Sequence, residues 1–517
     1  MFECPSVDDV EEYIFCVSFD SVEVKNEKHY LIKQKEKHPV ANIKELPLGN
    51  KYKWRVLMRK SNRTSIISDW HYFEILNSKL HNKKYFRFKQ NYYVKSKIED
   101  GIVWCDQYRC AVDRKGNIVW FMSDPQNDLT KTKAIRDIRL QKDGSLTMLN
   151  YPNAIKTNLE VSNAWELPHD DIFPNKEFWG FHHSFEILPN GNYMAMANEK
   201  VNFSNETSKD TSHSVAVDFC NLVEFDSTGK LIWIWKMKDH FPYELLVDSR
   251  IKNDNGVVDP HSNSFCHDSS GNYVYISYRD ISRIIKIEKK TKKIVASYGF
   301  KLKDEDEIAE TALFRLQHDI QYFGNNDFLI FNNDLIDSGK ISSVEVVQFP
   351  DKNKDSFKLK WKFDLNYMKD FEGKVERMGS VKKLSNGNYL ICAGSANRIL
   401  EVSEKKEVLW DFYIQQLDSG YKVNKFFSVY RAYFSKSLYP NYFVLYKNGK
   451  NLFLVNKGDF ESEFEIEFSS TSSSELNKKE IVRLKKDASQ KISDNAKYEI
   501  VKVKSLNSGI IKNHRFK

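Results

Sequence analysis

Short runs in which apolar and polar residues alternate recur along most of the chain, and pairs of them flank a tight-turn signature. They read DIRLQKDGSLTML from Asp137, HHSFEILPNGNYMAMAN from His182, HSNSFCHDSSGNYVYIS from His261, QHDIQYFGNNDFLIFNN from Gln317 and SVKKLSNGNYLICAG from Ser380. Alternation with period two marks a strand with one buried face, and Asn-Gly or Asp-Gly between two such runs marks a hairpin. A second recurring pair lies between these hairpins: an acidic turn and a Trp-bearing strand, as in DRKGNIVWF from Asp113, EFDSTGKLIWIW from Glu224 and EVSEKKEVLWDF from Glu401. Two hairpins per unit build a four-stranded blade. The turn positions Ser145, Asn192, Asn272, Asp327 and Asn388 are separated by 47, 80, 55 and 61 residues, which fits propeller blades with loop insertions. A further unit, FSVYRAYFSKSLYPNYFVLY from Phe427, brings the count to six.

Radial packing of blades avoids the long unpaired edges that an open sheet of so many strands would expose. The expected fold is therefore all-β: a six-bladed propeller over residues 96–445, an N-terminal β-sandwich over 1–95 and a small C-terminal β appendage over 446–517. The N-terminal strands, EEYIFCVSFDSVEV, KYKWRVLMRK and SDWHYFEIL, lack the Asn-Gly turn, and the C-terminal strands are interrupted by the polar stretch SSTSSSELNKK. Composition agrees. Hydrophobic residues make up 41% and aromatics 14%, with 35 Phe, 26 Tyr and 10 Trp, a mixture that favours strands.

The net charge of +8 is a small difference between 79 basic and 71 acidic residues dispersed along the chain, so no basic arm points to nucleic acid. No apolar stretch approaches the eighteen or so residues of a membrane helix, and no membrane insertion is expected. The opening MFECPSVDDVEEYIF has neither a basic start nor an unbroken apolar run, so the sequence as it stands is expected to be cytoplasmic. Seven cysteines without a CxxC pair do not form a disulfide framework or a zinc knuckle; Cys105 and Cys110 are the pair close enough in sequence to be bridged in an oxidising compartment.

Register supplies the candidate chemistry. Counting nine residues back from the turn gives His183 and His318 equivalent places in two blades, and in the blade between them the same count lands on Asn263, with His261 two residues earlier on the same face. Three of only 13 histidines thus fall near one end of a common channel. His182 should face the other way from His183. A lone strand histidine is ordinarily a packing or surface residue, and three converging imidazoles also suit a metal ion. The neighbouring carboxylates Asp259, Asp268 and Asp319 adjoin the histidines in sequence, and alternation sends Asp319 away from His318. Arg279, on the strand after His261, offers a planar fork for a tetrahedral anion, with Arg283 as its rival and blade-edge capping as the alternative role for either. Tyr278, Phe181 and Phe265 neighbour these positions, where blade core is their ordinary role.

FHHSFEILPNGNY, DPHSNS followed by SYRDISRIIKI and YG, then FRLQHDIQ and YRAYFSKSLYP resemble, in order, the motifs of the arylsulfate sulfotransferase family, the sulfotransferases that use no nucleotide donor. The resemblance spans roughly residues 100 to 440. It implies a six-bladed propeller with an N-terminal β-sandwich, and a ping-pong exchange in which a histidine takes a sulfuryl group from an aryl sulfate and passes it to a phenol. By resemblance His318 is the nucleophile, His261 the acid and base, and His183 and Arg279 steady the sulfuryl oxygens, with Asn263 and His182 as substrate contacts. The implied partners are an aryl sulfate donor and a phenolic or carbohydrate acceptor, with no cofactor and no metal. Many relatives are exported. The chain departs from the pattern in carrying Ser184 where members carry Asp after His-His, in lacking a Trp before Gly299, and in a shorter Asp-to-His spacing in DPHSNS. The alternatives are a carbohydrate-binding or scaffolding propeller, or a three-histidine metal site.

Overall fold

The computed structural model describes residues 1–515 except 44, 79, 81, 123–134, 163, 169–177, 205–213, 242–245, 247–256, 302–308, 312, 335–339, 351–355, 368–370, 418–427, 470–477 and 494–499. Most of the polar stretch SSTSSSELNKK, and Phe427 at the head of the last repeat, lie outside the described residues. The described chain is strand and turn, with a few single-turn 3-10 segments. It divides into two compact units, one of residues 84–139 and 146–434, the other of residues 1–83, 140–145 and 435–517.

The larger unit holds six sheets of four or five strands, antiparallel except for Ala309–Glu310 beside Ile294–Gly299; the five turn-bearing hairpins supply five of them, whereas the unit read from Phe427 makes no blade of its own, since Ala432–Ser435 joins the sheet begun at Ile102 and Phe443–Asn448 pairs within the smaller unit. The edge strands that face one another are β1 (Ile135–Leu140), β2 (Phe178–Ile187), β3 (Ser262–His267), β4 (His318–Gly324), β5 (Ser380–Lys383) and β6 (Ala432–Ser435). β6 joins the sheet of Ile102–Cys105, so the last strand completes the sheet that the chain began more than three hundred residues earlier. The strand Phe86–Tyr93 pairs on the outer side of the sixth sheet, against Val408–Gln416. Apolar side chains fill the spaces between successive sheets. Met194, Met196, Leu222 and Trp235 of the third sheet pack with Phe265, Val274, Ile276 and Ile285 of the fourth, and Tyr275 and Ile284 of the fourth meet Phe328, Ile330 and Val347 of the fifth. This is the propeller arrangement, in which a sheet apolar on both faces is covered by its two neighbours.

Polar ties join neighbouring sheets on both the inner and the outer side of the ring. On the inner side, Asp137 Oδ2 accepts from Phe185 N (2.9 Å), Ser264 Oγ from Ile320 N (3.2 Å), Asp319 Oδ2 from Val381 N (2.9 Å) and Ser380 Oγ from Ala432 N (3.2 Å). Asp106, in the turn after Ile102–Cys105, accepts from the backbone N–H groups of Gln107, Asp137, Tyr430 and Arg431 at 2.7–3.1 Å. On the outer side the repeated tryptophans act as donors. The indoles of Trp120, Trp233, Trp361 and Trp410 reach the carbonyls of Leu159, Lys289, Glu404 and Arg114, each in the next sheet, and the last of these runs from the sixth sheet to the first. Each indole thus combines a large apolar ring with an N–H that finds a partner in the next sheet, which gives a recurring Trp in these strands a common role.

The smaller unit holds a five-stranded sheet built on Val10–Phe19 and Asn50–Lys60, a two-stranded ribbon, and three- and four-stranded sheets from residues 443–515. Its ends meet: Met1 N donates to the Tyr439 hydroxyl (3.0 Å) and Lys447 N to Ser6 Oγ (3.0 Å).

Candidate active site

The inner strands do not run straight into the axis. His183, His261, Asp319 and Asp137 take left-handed φ values of 48–58°, and the pairing register slips beside the first three, between His182 and Phe185, Ser262 and Ser264, and His318 and Gln321. A left-handed non-glycine residue at a bulge re-aims its neighbours and costs roughly 1–2 kcal/mol, the kind of strain found at functional sites.

Strict alternation therefore fails where the sequence reading relied on it. The left-handed residue is His183 in β2 but Asp319 in β4, so the two histidines nine residues from their turns are offset by one position. A second register shift in β4, between Tyr322 and Gly324, takes up the difference. His182 does not turn away either. Its Nδ1 lies 2.6 Å from His183 Nδ1, the rings meet edge-on at 4.8 Å, and it is buried. One proton must sit between those two nitrogens. Burial holds His182 down at about 3, helped by the charges of His261 and Arg136, and holds His183 well below the usual imidazole value for the same reasons together with His182 itself.

His183 meets His261 edge-on at 5.1 Å and Tyr430 at 5.7 Å. His261 is the more open of the two, with its side chain 34% exposed. Its Nδ1 stands 3.9 Å from Asp259 Oδ2 and 3.8 Å from Asp280 Oδ2, and its backbone N–H donates to Asp259 Oδ1 at 2.7 Å. Burial pushes the Asp259 carboxyl up.

His318 is almost wholly enclosed. Its Nδ1 is 2.7 Å from Asn333 Oδ1, and the Asn333 amide donates to the carbonyls of Val375 (2.8 Å) and Met378 (3.1 Å). With the Asn333 nitrogen committed, its oxygen can only accept, so His318 carries its proton on Nδ1 and a lone pair on Nε2. Burial, then the charge of Arg279, and further the charges of His261 and Arg431, hold this imidazole well below its usual value, against the favourable Asn333 bond. Arg279 pairs with Asp280 and donates to Glu376 O at 3.2 Å, while its Nε is buried without a partner among the described residues. Arg283 is spent on structure, donating to Ser297 Oγ and Phe300 O.

Asn263 is fully buried. Its side-chain amide donates to Gln317 O at 2.7 Å, which links β3 to the entry of β4, and its backbone carbonyl accepts from Arg431 Nη2 at 2.6 Å. Arg431 and Tyr430 belong to the cluster but were not singled out from sequence. Arg431 reaches Asp137 Oδ1 (3.0 Å) and Ser184 Oγ (2.7 Å) as well, so Ser184 is tied to it. Asn333, Tyr430 and Arg431 stand inside segments already marked by their repeats, whereas Arg136, just ahead of the first hairpin, carried no signal. Phe181, Phe265 and Tyr278 are core. Among the described residues no group of three or more His, Cys, Asp or Glu is arranged to hold a metal ion, and no helix is long and apolar enough to cross a membrane. Cys105 and Cys110 face each other across a strand pair as buried free thiols.

The model of the Arylsulfotransferase (ASST) family matches residues 77–439, well over half of the chain. Among curated proteins none matches. Solved structures with some likeness include a protein of unknown function from Bacteroides caccae (13% identity, 65% of this chain and 97% of that one, TM-score 0.37). Another is a catalytically inactive virginiamycin B lyase from Staphylococcus aureus with quinupristin (8% identity, 72% and 96%, TM-score 0.32).

Proposed function

The chain belongs to the arylsulfotransferase family, and we propose that it carries a sulfuryl group from an aryl sulfate to a phenolic or other hydroxyl acceptor through a transient sulfohistidine on His318, with no nucleotide donor. One observation above all supports this reading: Asn333 fixes the Nδ1–H tautomer of His318 and leaves Nε2 as a lone pair in a cluster of cationic and imidazole groups.

In the first half-reaction His318 Nε2 attacks sulfur, the S–N bond forms, and the S–O bond to the aryl group breaks. The departing phenolate takes a proton from His261, whose Nδ1 stands between the carboxylates of Asp259 and Asp280. In the second, the acceptor hydroxyl returns its proton to His261 as its oxygen attacks sulfur, the S–N bond breaks, and His318 is regenerated. The balance is aryl sulfate plus alcohol or phenol giving phenol plus the new sulfate ester. Arg279 and His183 steady the charge on the sulfuryl oxygens, a preorganised electrostatic role of the kind that dominates phosphoryl transfer. His182, sharing a proton with His183, fixes the orientation of that ring, and Asn263 acts through the β3–β4 link.

The test is transfer from a chromogenic aryl sulfate to a phenol in the absence of nucleotide. His318→Asn is expected to lower the rate by at least about 10³-fold with the fold intact; transfer at the wild-type rate by that variant would refute the assignment.

A further inference from the structure

The arginines around the axis are not equivalent. Arg431 is neutralised by Asp137, Arg139 by Asp137 and Glu186, and Arg279 by Asp280. Arg136, on β1, has no carboxylate partner among the described residues, and its Nε is buried without a hydrogen bond. Its guanidinium carbon lies 5.0 Å over the Tyr430 ring, whose edge contact with His183 places the cation beside the histidine pair. Its charge reaches both His182 and His183.

Arg136 is half-buried, and a guanidinium cannot shed its proton, so shutting its Nε off from water with no hydrogen bond is costly. Stacking on an aromatic ring lowers that cost a little and leaves the N–H groups in the guanidinium plane free for an oxyanion. Such a residue is stabilised when an anion arrives.

We propose that Arg136 is a substrate-binding residue whose guanidinium pairs with the negatively charged sulfuryl group of the donor on the His183 side of the axis. The identity of the anion rests on the sulfuryl-transfer reading; the existence of an anion site at Arg136 does not. Two cations then share the group: Arg279 on the His318 side and Arg136 on the His183 side. Arg279 arrives already neutralised, whereas Arg136 draws its counter-charge from the substrate.

Inorganic sulfate is the probe, titrated calorimetrically into the full-length protein. Wild type is expected to bind one sulfate, Arg136→Gln to bind it at least about tenfold more weakly, and Arg136→Lys to fall between, because lysine keeps the charge and loses the fork. In steady state Arg136→Gln should lower kcat/KM for the donor by at least a similar factor while its far-UV circular dichroism and Tm stay near wild type, a combination that general loosening of the fold would not give. A wild-type protein that binds no sulfate, or a folded Arg136→Gln that binds it within twofold of wild type, overturns the proposal. Should the variants not fold, phenylglyoxal labelling of the wild-type protein decides: sulfate must protect the peptide bearing Arg136, and labelling unaffected by sulfate counts against it. Arg136-dependent sulfate binding in a protein that never transfers sulfate would refute the function proposed above and leave this inference standing.

Discussion

His318 is held as one tautomer by a neighbour with no freedom of its own, and its basicity is depressed by burial and by Arg279. The nucleophile should therefore stay unprotonated well into acid. With a donor whose phenolate leaves without proton transfer, the rate of the phenol burst is expected to hold from neutral pH to well below 6.5, and Arg279→Gln to move its acidic limb upward. A wild-type limb at 6.5 would contradict the assignment. His182 gives a second expectation. Its folded value of about 3 lies below the ordinary 6.5, so the unfolded chain binds more protons between those limits and stability is lost as pH falls through that window. The Tm of His182→Asn relative to wild type should thus rise between pH 7.5 and 4.5; an unchanged difference would argue that His182 is not buried neutral. At this scale spacing from a turn put His183, His261 and His318 on or next to β2, β3 and β4, but did not give their relative register. The sequence was misleading for His182, because one left-handed residue undoes the alternation on which the reading rests. Arg431 could not be connected with Asp137 at all, since only the closed fold brings together residues 294 positions apart.

Along the strands, the recurring Trp was legible as a repeat, but its purpose was not, because the carbonyl it bonds belongs to the next sheet. Trp410→Phe removes the outer tie between the sixth and first sheets and is expected to cost about 1 kcal/mol. Asp106 does more on the inner side, where it accepts four backbone N–H groups, and burial pushes its own carboxyl up to about 7. Asp106→Ala should cost roughly 3 kcal/mol or more, read as a lowered urea midpoint, and a loss under 1 kcal/mol would show that the tie is dispensable. Gly379 shows a different constraint. Its φ of +124° and the Phe331 ring, 2.5 Å from where a Cβ would stand, leave no room for a side chain where β5 enters beside the partner of His318.

Across the whole molecule, the all-β class and the succession of hairpins followed from periodicity and turn chemistry, since each blade is local in sequence. The closing strand did not, because β6 pairs with residues more than three hundred positions away, and loop closure of that length leaves no mark on local pattern. The ring has a functional consequence: it gathers histidines from three sheets, an arginine from β1 and Arg279 from the turn after the strand Tyr273–Tyr278 into one cluster, which no single blade could build. The central claim is that His318 becomes sulfated in this cluster. Wild-type protein mixed with an aryl sulfate and no acceptor, quenched in alkali and mapped by mass spectrometry, should carry one sulfuryl group on the peptide containing His318, and an added phenol should discharge it. A sulfuryl group found on another residue, or an unmodified His318 during active turnover, would contradict the account.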